Sequence, residues 1–321
     1  MANDSLVVSA PAKLNLCLAV LGRRPDGMHE LDGVMHGLTL EDTIILRPAA
    51  GLSLTVVDRR PGGGAPGVDG RGRPALQNGE LPSVPHGPEN LAWRAAAALR
   101  RAADVSEGVH ITLIKRIPAG AGLGGGSADA AAVLLGLNRL WGLGLSHGDL
   151  HALALGLGAD VPFALHSGAA RARGVGEILE PLPTLAGMPV VLIPQTFGVS
   201  TGEIFAQWAS RGDQAPPGPA VATMAEAMGQ GDYQRAASLC GNVLISITAR
   251  RHPQVRAALE DLERWEPLAA AMTGTGPTVF GLFARRRQAR EAVRALRQRW
   301  PLARLTHLRH RGIGPATGAT R

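Results

Sequence analysis

Residues Pro118–Asp129 (PAGAGLGGGSAD) hold the groups best suited to grip a phosphate, with five glycines between Gly120 and Gly126. Without a Cβ, glycine lets the backbone approach an anion closely and turn successive N–H groups toward it. Ser127 then stands where a helix is expected to begin. A helix N-terminus adds a partial positive charge of about half an electron. A plain strand-to-helix turn with Ser127 as its cap would need only one or two glycines; five mark an anion site. Far upstream, Lys13 and Asn15 fall on one face of an alternating segment whose other face carries Leu14, Leu16 and Leu18. A lysine so placed is a point charge for a phosphate or carboxylate, though its own segment reads as readily as a strand edge. Asp160, followed by Val-Pro, has the form of a helix N-cap with proline in the first turn. His29 follows an Asp-Gly turn and reads alone as a solvated loop histidine.

Two familiar glycine loops are excluded by context. A nucleotide P-loop needs Lys-Ser/Thr directly after its last glycine, whereas Gly126 is followed by Ser-Ala-Asp. Gly120, Gly122 and Gly125 satisfy GxGxxG formally. However, more than a hundred residues precede them, Ile117-Pro118 separates them from their strand, and Asp149 at the expected distance sits at a helix start.

The elements that must position these groups follow from periodicity and punctuation. Strands are expected over 5–21, Gly33–Leu40, Thr43–Arg47 and 109–117, with helices over 89–104, 127–141 and 147–158. Residues 58–88 hold 14 Gly and Pro among 31 positions and read as a flexible surface insertion. After about residue 186 the pattern restarts: strand MPVVLIP, helices to about 265, strands AAAMT and TVFGLF around the turn GTGP, an Arg-rich helix and a last strand. Such an order points to an α+β arrangement.

The loop is similar to the PxxxGLGSS-type loop of the GHMP kinases, a superfamily that includes galactokinase and the homoserine, mevalonate and phosphomevalonate kinases. Together with APAKLNLCL (10–18), RRPDGMHEL (23–31), GLGADVPFAL (156–165) and MTGTGPTVFGLF (272–283), it resembles the branch acting on a cytidine-diphosphate-linked methylerythritol in non-mevalonate isoprenoid biosynthesis. The resemblance implies a two-domain α+β fold. A ribosomal protein S5 domain 2-like N-terminal domain would cover 1–172, and a ferredoxin-like C-terminal domain 173–310, with 311–321 a disordered tail. It implies ATP and Mg²⁺ as cofactors. ATP would lie on Pro118, Gly120, Gly122, Leu123, Gly124, Gly125, Gly126 and Ser127, with Asn90 and Leu91 near adenine and Lys115 close to the nucleotide. Lys13 would stand beside the acceptor hydroxyl, Asp160 would take its proton, and Asn15 would contact the erythritol. His29 and Phe205 would meet the cytosine, Gly274 and Gly276 would let a turn come close to the substrate, and Met28 occupies a position that is aromatic in the resembled branch. No metal ligand is assigned; Asp129 either answers the helix dipole or helps to hold Mg²⁺. A mevalonate- or homoserine-type kinase and, from another class, a nicotinamide-dependent oxidoreductase are the alternatives.

Composition agrees with a small-molecule enzyme. Hydrophobic residues are 45% and charged residues 18%, a globular balance with enough chain for two cores. Net charge is +7, but the arginines cluster in helix-like segments, and one Tyr and five Phe give no stacking platform for nucleic acid. No apolar run reaches the ~20 residues of a membrane span. The N-terminus lacks a signal-peptide pattern, so a cytoplasmic location is expected. Cys17 and Cys240 read as reduced thiols.

Overall fold

Alternating apolar residues at the N-terminus build one long antiparallel pair, β1 (Leu6–Arg23) against β2 (His29–Ala49). The two runs expected separately at Gly33–Leu40 and Thr43–Arg47 are thus one strand, interrupted by a register shift where Leu38–Leu40 bulge. The computed structural model describes residues 5–61, 82–166, 168–211 and 218–310. Most of the 58–88 insertion and the 311–321 tail lie outside the described residues.

β3 (Leu52–Asp58) was not foreseen; its LSLTVVD alternation pairs it in parallel with β4 (Gly108–Lys115), which runs antiparallel to β2. α1 (Leu91–Ala102) starts two residues later than expected. Its cap is Asn90, whose Oδ1 accepts the Ala92 N–H at 2.9 Å, and its first turn has no acidic residue. α2 (Gly125–Leu140), α3 (His147–Leu157) and α4 (Val161–His166) follow, then the hairpin β5 (Ala169–Gly174) and β6 (Ile178–Leu182). β5 pairs with the first half of β2, so the first sheet reaches Leu182 and position 172 falls inside this hairpin. The helices cover one face of the sheet, and α2 lies closest. A Cβ on its Gly136 would come within 2.5 Å of Leu46 Cδ1, so glycine and the buried run Ala130–Ala132 set the approach.

The second sheet has the order β11 (Arg304–His307), β7 (Pro189–Ile193), β10 (Val279–Leu282), β9 (Ala269–Met272), all antiparallel. This strand order, with helices between the first two strands in sequence and α10 (Arg286–Leu296) between the last two, is the ferredoxin-like pattern. Between β7 and β9 run α5 (Thr201–Ala209), α6 (Val221–Gly229), α7 (Tyr233–Ser238), the two-residue β8 (Gly241–Asn242), α8 (Ile245–Arg251) and α9 (Pro253–Glu263). β8 leaves this half of the chain to extend the first sheet, pairing in parallel with β1 at Cys17 and Leu18.

The two sheets share a core in which Leu14, Leu16, Val34 and Leu123 meet Val190, Leu192, Phe280 and Leu282. They also share a polar and backbone seam at the β2 bulge. Leu38 bridges Leu308, Thr39 Oγ1 accepts the His307 N–H at 3.1 Å, and Arg309 N–H reaches Gly37 O at 2.9 Å.

Candidate active site

The glycine loop forms one wall of a cavity of about 380 Å³, also lined by Ser83, Val84, Pro85, Glu89, Asn90, Leu91, Lys115 and Asp129. Each expected nucleotide residue, Pro118, Gly120, Gly122, Leu123, Gly124, Gly125, Gly126, Ser127, Asn90, Leu91 and Lys115, belongs to this lining. Helix α2 begins two residues before Ser127. Its cap is Gly124 in the left-handed region (φ 65°) with no side-chain cap, which places Ser127 within the first turn. The first-turn amides are therefore left for a ligand. The loop fits a polyphosphate for a second reason, because side chains would fill it: a Cβ on Gly125 would lie 2.9 Å from Ile117 and 3.0 Å from Lys115 Nζ. Ser83–Pro85 show that the distal end of the Gly/Pro-rich segment borders this cavity.

Lys115 is spent inside the protein. Its Nζ donates to Asp42 Oδ2 at 2.5 Å and to Asp129 Oδ2 at 2.6 Å, and all three side chains are buried. Burial opposes the ammonium, but the two carboxylates outweigh it and hold Lys115 charged. Burial pushes the Asp129 carboxyl well up, with the Asp42 carboxylate adding to it, and its buried Oδ1 has no partner among the described residues. Asp42 Oδ1 accepts the N–H groups of Arg116 and Ile117, which fixes the chain as it enters the loop. Asp42 was missed from the sequence, where an acidic residue beside Glu41 in LEDT gave no sign of a partner 73 positions away.

Register shifts flank Lys13 and Asn15 on β1, one after Pro11 and one after Asn15, yet the two keep a common face. Lys13 Nζ donates to Asn15 Oδ1 at 2.7 Å and stands 3.2 Å from Asp160 Oδ2. The lysine side chain is 9% exposed and the aspartate's 40%, so the carboxylate faces the open cleft. Asp160 immediately precedes α4 and its carbonyl accepts the Ala164 N–H, so the capping position and the place beside Lys13 coexist. The lysine stem lies along the phosphate loop: Lys13 N–H donates to Leu123 O, and a Cβ on Gly124 would meet Lys13 Cγ at 2.8 Å.

The turn between β9 and β10 closes on the same point. Gly274 (φ 58°) comes within contact range of Asn15 Oδ1, and Gly276 O abuts Gly122. Thr273 Oγ1 accepts the Asn15 N–H at 2.9 Å, while Asn242 Nδ2 donates to Met272 O and Gly274 O at 2.7 Å each. Thr273 and Asn242 were also missed: MTGTGP drew attention only to its glycines, and Asn242 sits in a segment read as helical.

His29 and Phe205, expected together from segments 176 residues apart, stack with ring centroids 5.0 Å apart and planes 25° from parallel. Burial, then the Arg23 charge, lowers the His29 pKa, and its buried Nε2 has no partner among the described residues. Met28 beside it is exposed.

An S5-like sheet and a ferredoxin-like sheet enclosing a glycine-rich anion loop, a lysine and a carboxylate define a GHMP-type small-molecule kinase. Residues 90–168 match the model of the GHMP kinases N terminal domain, and 224–302 that of the GHMP kinases C terminal domain. A 4-diphosphocytidyl-2-C-methyl-D-erythritol kinase from Pelotomaculum thermopropionicum is 41% identical over 90% of this chain and 93% of its own. One from Moorella thermoacetica is 40% identical over 93% of this chain and 97% of its own. A solved 4-(cytidine 5'-diphospho)-2C-methyl-D-erythritol kinase superposes with a TM-score of 0.73 at 34% identity, covering 94% of this chain and 99% of that one. A homoserine kinase structure from Cytophaga hutchinsonii shares the fold, with a TM-score of 0.70 at 16% identity over 98% of both chains. The chain belongs to the 4-diphosphocytidyl-2-C-methyl-D-erythritol kinase family. Among the described residues no helix is long and apolar enough to cross a membrane.

Proposed function

We infer that this chain transfers the γ-phosphoryl group of ATP to the 2-hydroxyl of 4-diphosphocytidyl-2-C-methyl-D-erythritol, in the non-mevalonate route to isoprenoid precursors. One observation carries the chemistry: Lys13 touches both the phosphate loop and Asp160, so acceptor and donor machinery meet at a single ammonium. The substrate follows from relatives of that name and from the His29–Phe205 pair at the β1–β2 end of the cleft. A neutral His29 ring offers one donor and one acceptor, which suits an uncharged base edge.

In this reading the acceptor hydroxyl lies against Asp160. A new O–P bond forms as the bond to the β-phosphate breaks, the hydroxyl proton passes to the Asp160 carboxylate, and ADP leaves. A weak base suffices, because phosphoryl transfer rests mainly on positioning and charge stabilisation. Lys13 and the free amides at the head of α2 face the charge on the transferring group. Among the described residues no cluster of three or more His, Cys, Asp or Glu is arranged to hold a metal. Mg²⁺ would come with the nucleotide, with Ser127 the oxygen-bearing side chain of the first turn of α2 beside it. When bound it neutralises phosphate charge.

The test is ADP release in a coupled assay with the cytidyl alcohol, mevalonate and homoserine in parallel. Turnover confined to the cytidyl alcohol is expected. Turnover of only mevalonate or homoserine would overturn the substrate and leave the kinase standing.

A further inference from the structure

The hydroxyl of Thr273 is fully buried and joins the two halves of the active site. It accepts the Asn15 backbone N–H at 2.9 Å, beside the β1 register shift that follows Asn15. It lies 3.4 Å from Gly122 O, to which it donates. Asn15 belongs to the acceptor strand, one alternation from Lys13; Gly122 belongs to the phosphate loop. A threonine hydroxyl has one proton to give, so the geometry commits it to the span between acceptor side and donor side.

The threonine has no freedom to serve elsewhere. Its N–H goes to Thr278 O at 3.1 Å and its carbonyl accepts the Gly276 N–H at 2.9 Å. The carbonyls on either side, Met272 O and Gly274 O, are both held by Asn242. Asn242 in turn lies on β8, which pairs with β1 at Cys17 and Leu18, directly after the shift. The turn is thus clamped by β8 through Asn242, while its hydroxyl holds the neighbouring strand β1 through Asn15. Gly122 packs directly against this turn, since a Cβ there would strike Gly276 O at 2.7 Å and Thr273 O at 2.9 Å.

We propose that Thr273 is a positioning residue whose hydroxyl sets the separation between the Lys13–Asn15 strand and the phosphate loop, and so the approach of the acceptor oxygen to the γ-phosphorus. This rests on the kinase reading above. Small misplacements of reacting groups are enough to cost about a hundredfold in rate, so a lost spacer should act on kcat.

The experiment compares wild type with Thr273→Val, which keeps the shape and loses the hydroxyl, and Thr273→Ser, which keeps the hydroxyl. Steady-state kinetics are paired with ATP affinity measured calorimetrically without acceptor. Expected is a kcat loss of about tenfold or more in Thr273→Val, with ATP affinity within about threefold and Thr273→Ser within about threefold of wild type throughout. A merely structural role would lower stability and ATP binding together without this split. A folded Thr273→Val enzyme with kcat within about twofold of wild type overturns the proposal, as does Thr273→Ser falling equally far. If Thr273→Val does not fold, Thr273→Ser against Thr273→Ala isolates the same hydroxyl, and equal kcat values overturn it. The ratios are read with whichever alcohol the wild type phosphorylates, so a wrong substrate leaves this test intact. A wild type that phosphorylates none removes the kinase reading and this proposal with it.

Discussion

Nζ of Lys13 stands 3.2 Å from Oδ2 of Asp160 and 2.7 Å from Oδ1 of Asn15, on a stem that packs against Gly124. One buried lysine therefore touches the Asp160 carboxylate, the β1 strand and the glycine loop. Its surroundings explain why a strand-edge residue by sequence becomes a central one by fold.

Replacing Asp160 by Asn keeps the shape and the capping position while removing the proposed proton acceptor. Turnover should fall about a hundredfold or more, with the melting temperature little changed. Lys13→Ala should cost as much in kcat. A folded Asp160→Asn enzyme with normal turnover would remove the base assignment.

Gly122 and Gly126 separate backbone need from mere presence in the loop. Gly122 sits at φ 73° with carbonyls at 2.7 and 2.9 Å from a would-be Cβ, whereas Gly126 would meet only Leu91 Cδ1 at 3.3 Å. Gly122→Ala should destabilise by about 1–2 kcal/mol from the left-handed conformation, and by more from the clash. Gly126→Ala should stay within about 0.5 kcal/mol of wild type. Thermal denaturation of the pair decides.

Lys115 is more a keystone than a phosphate ligand. Lys115→Met would leave Asp42 and Asp129 buried together with no cation, a loss of about 3–5 kcal/mol for breaking a buried pair. Urea denaturation should register it before any assay of ATP binding does. A change below about 1 kcal/mol would show that the triad is solvated in solution.

Met28 stands where the resembled branch carries an aromatic residue, next to the stacked His29 and Phe205. Met28→Tyr should add a stacking face worth about 1 kcal/mol, lowering KM for the cytidyl alcohol roughly fivefold with kcat unchanged. An unchanged KM would mean that the base does not reach this position.

His36 makes stability depend on acidity. Its ring is fully buried, Nε2 accepts the Leu185 N–H, Nδ1 is 2.9 Å from Gly37 O, and burial pushes its pKa down from 6.5 to about 4. The unfolded chain binds this proton below pH 6.5 and the folded one resists it. The stabilising contribution is therefore whole above about pH 6.5 and drains away as pH falls toward 4, amounting to about 3 kcal/mol. In urea titrations across that window, His36→Gln should show a shallower acid loss than wild type.

The sequence revealed the parts of the site whose chemistry is local. The glycine run, the Lys13–Asn15 alternation and the Asp-Val-Pro helix start each carry their signal within a few residues, and the family resemblance joined them. Thr273, Asn242 and Asp42 escaped because their roles exist only across 258, 30 and 73 positions of chain. In isolation they are ordinary polar residues. β3 escaped because its alternation is only seven residues long and runs straight into the Gly/Pro-rich segment, and the sheet membership of β5 and β6 is a matter of long-range pairing that periodicity does not encode.

The loan of β8 to the first sheet, together with the Leu38–Leu308 bridge and the core shared by both sheets, has a thermodynamic consequence. The apolar core between the two sheets is buried only when both halves of the chain are folded together. The molecule should melt as one cooperative unit, despite its two family domains. Chain order and folding unit therefore diverge: a cut near Leu185 would separate the polypeptide into halves without separating it into independent folds.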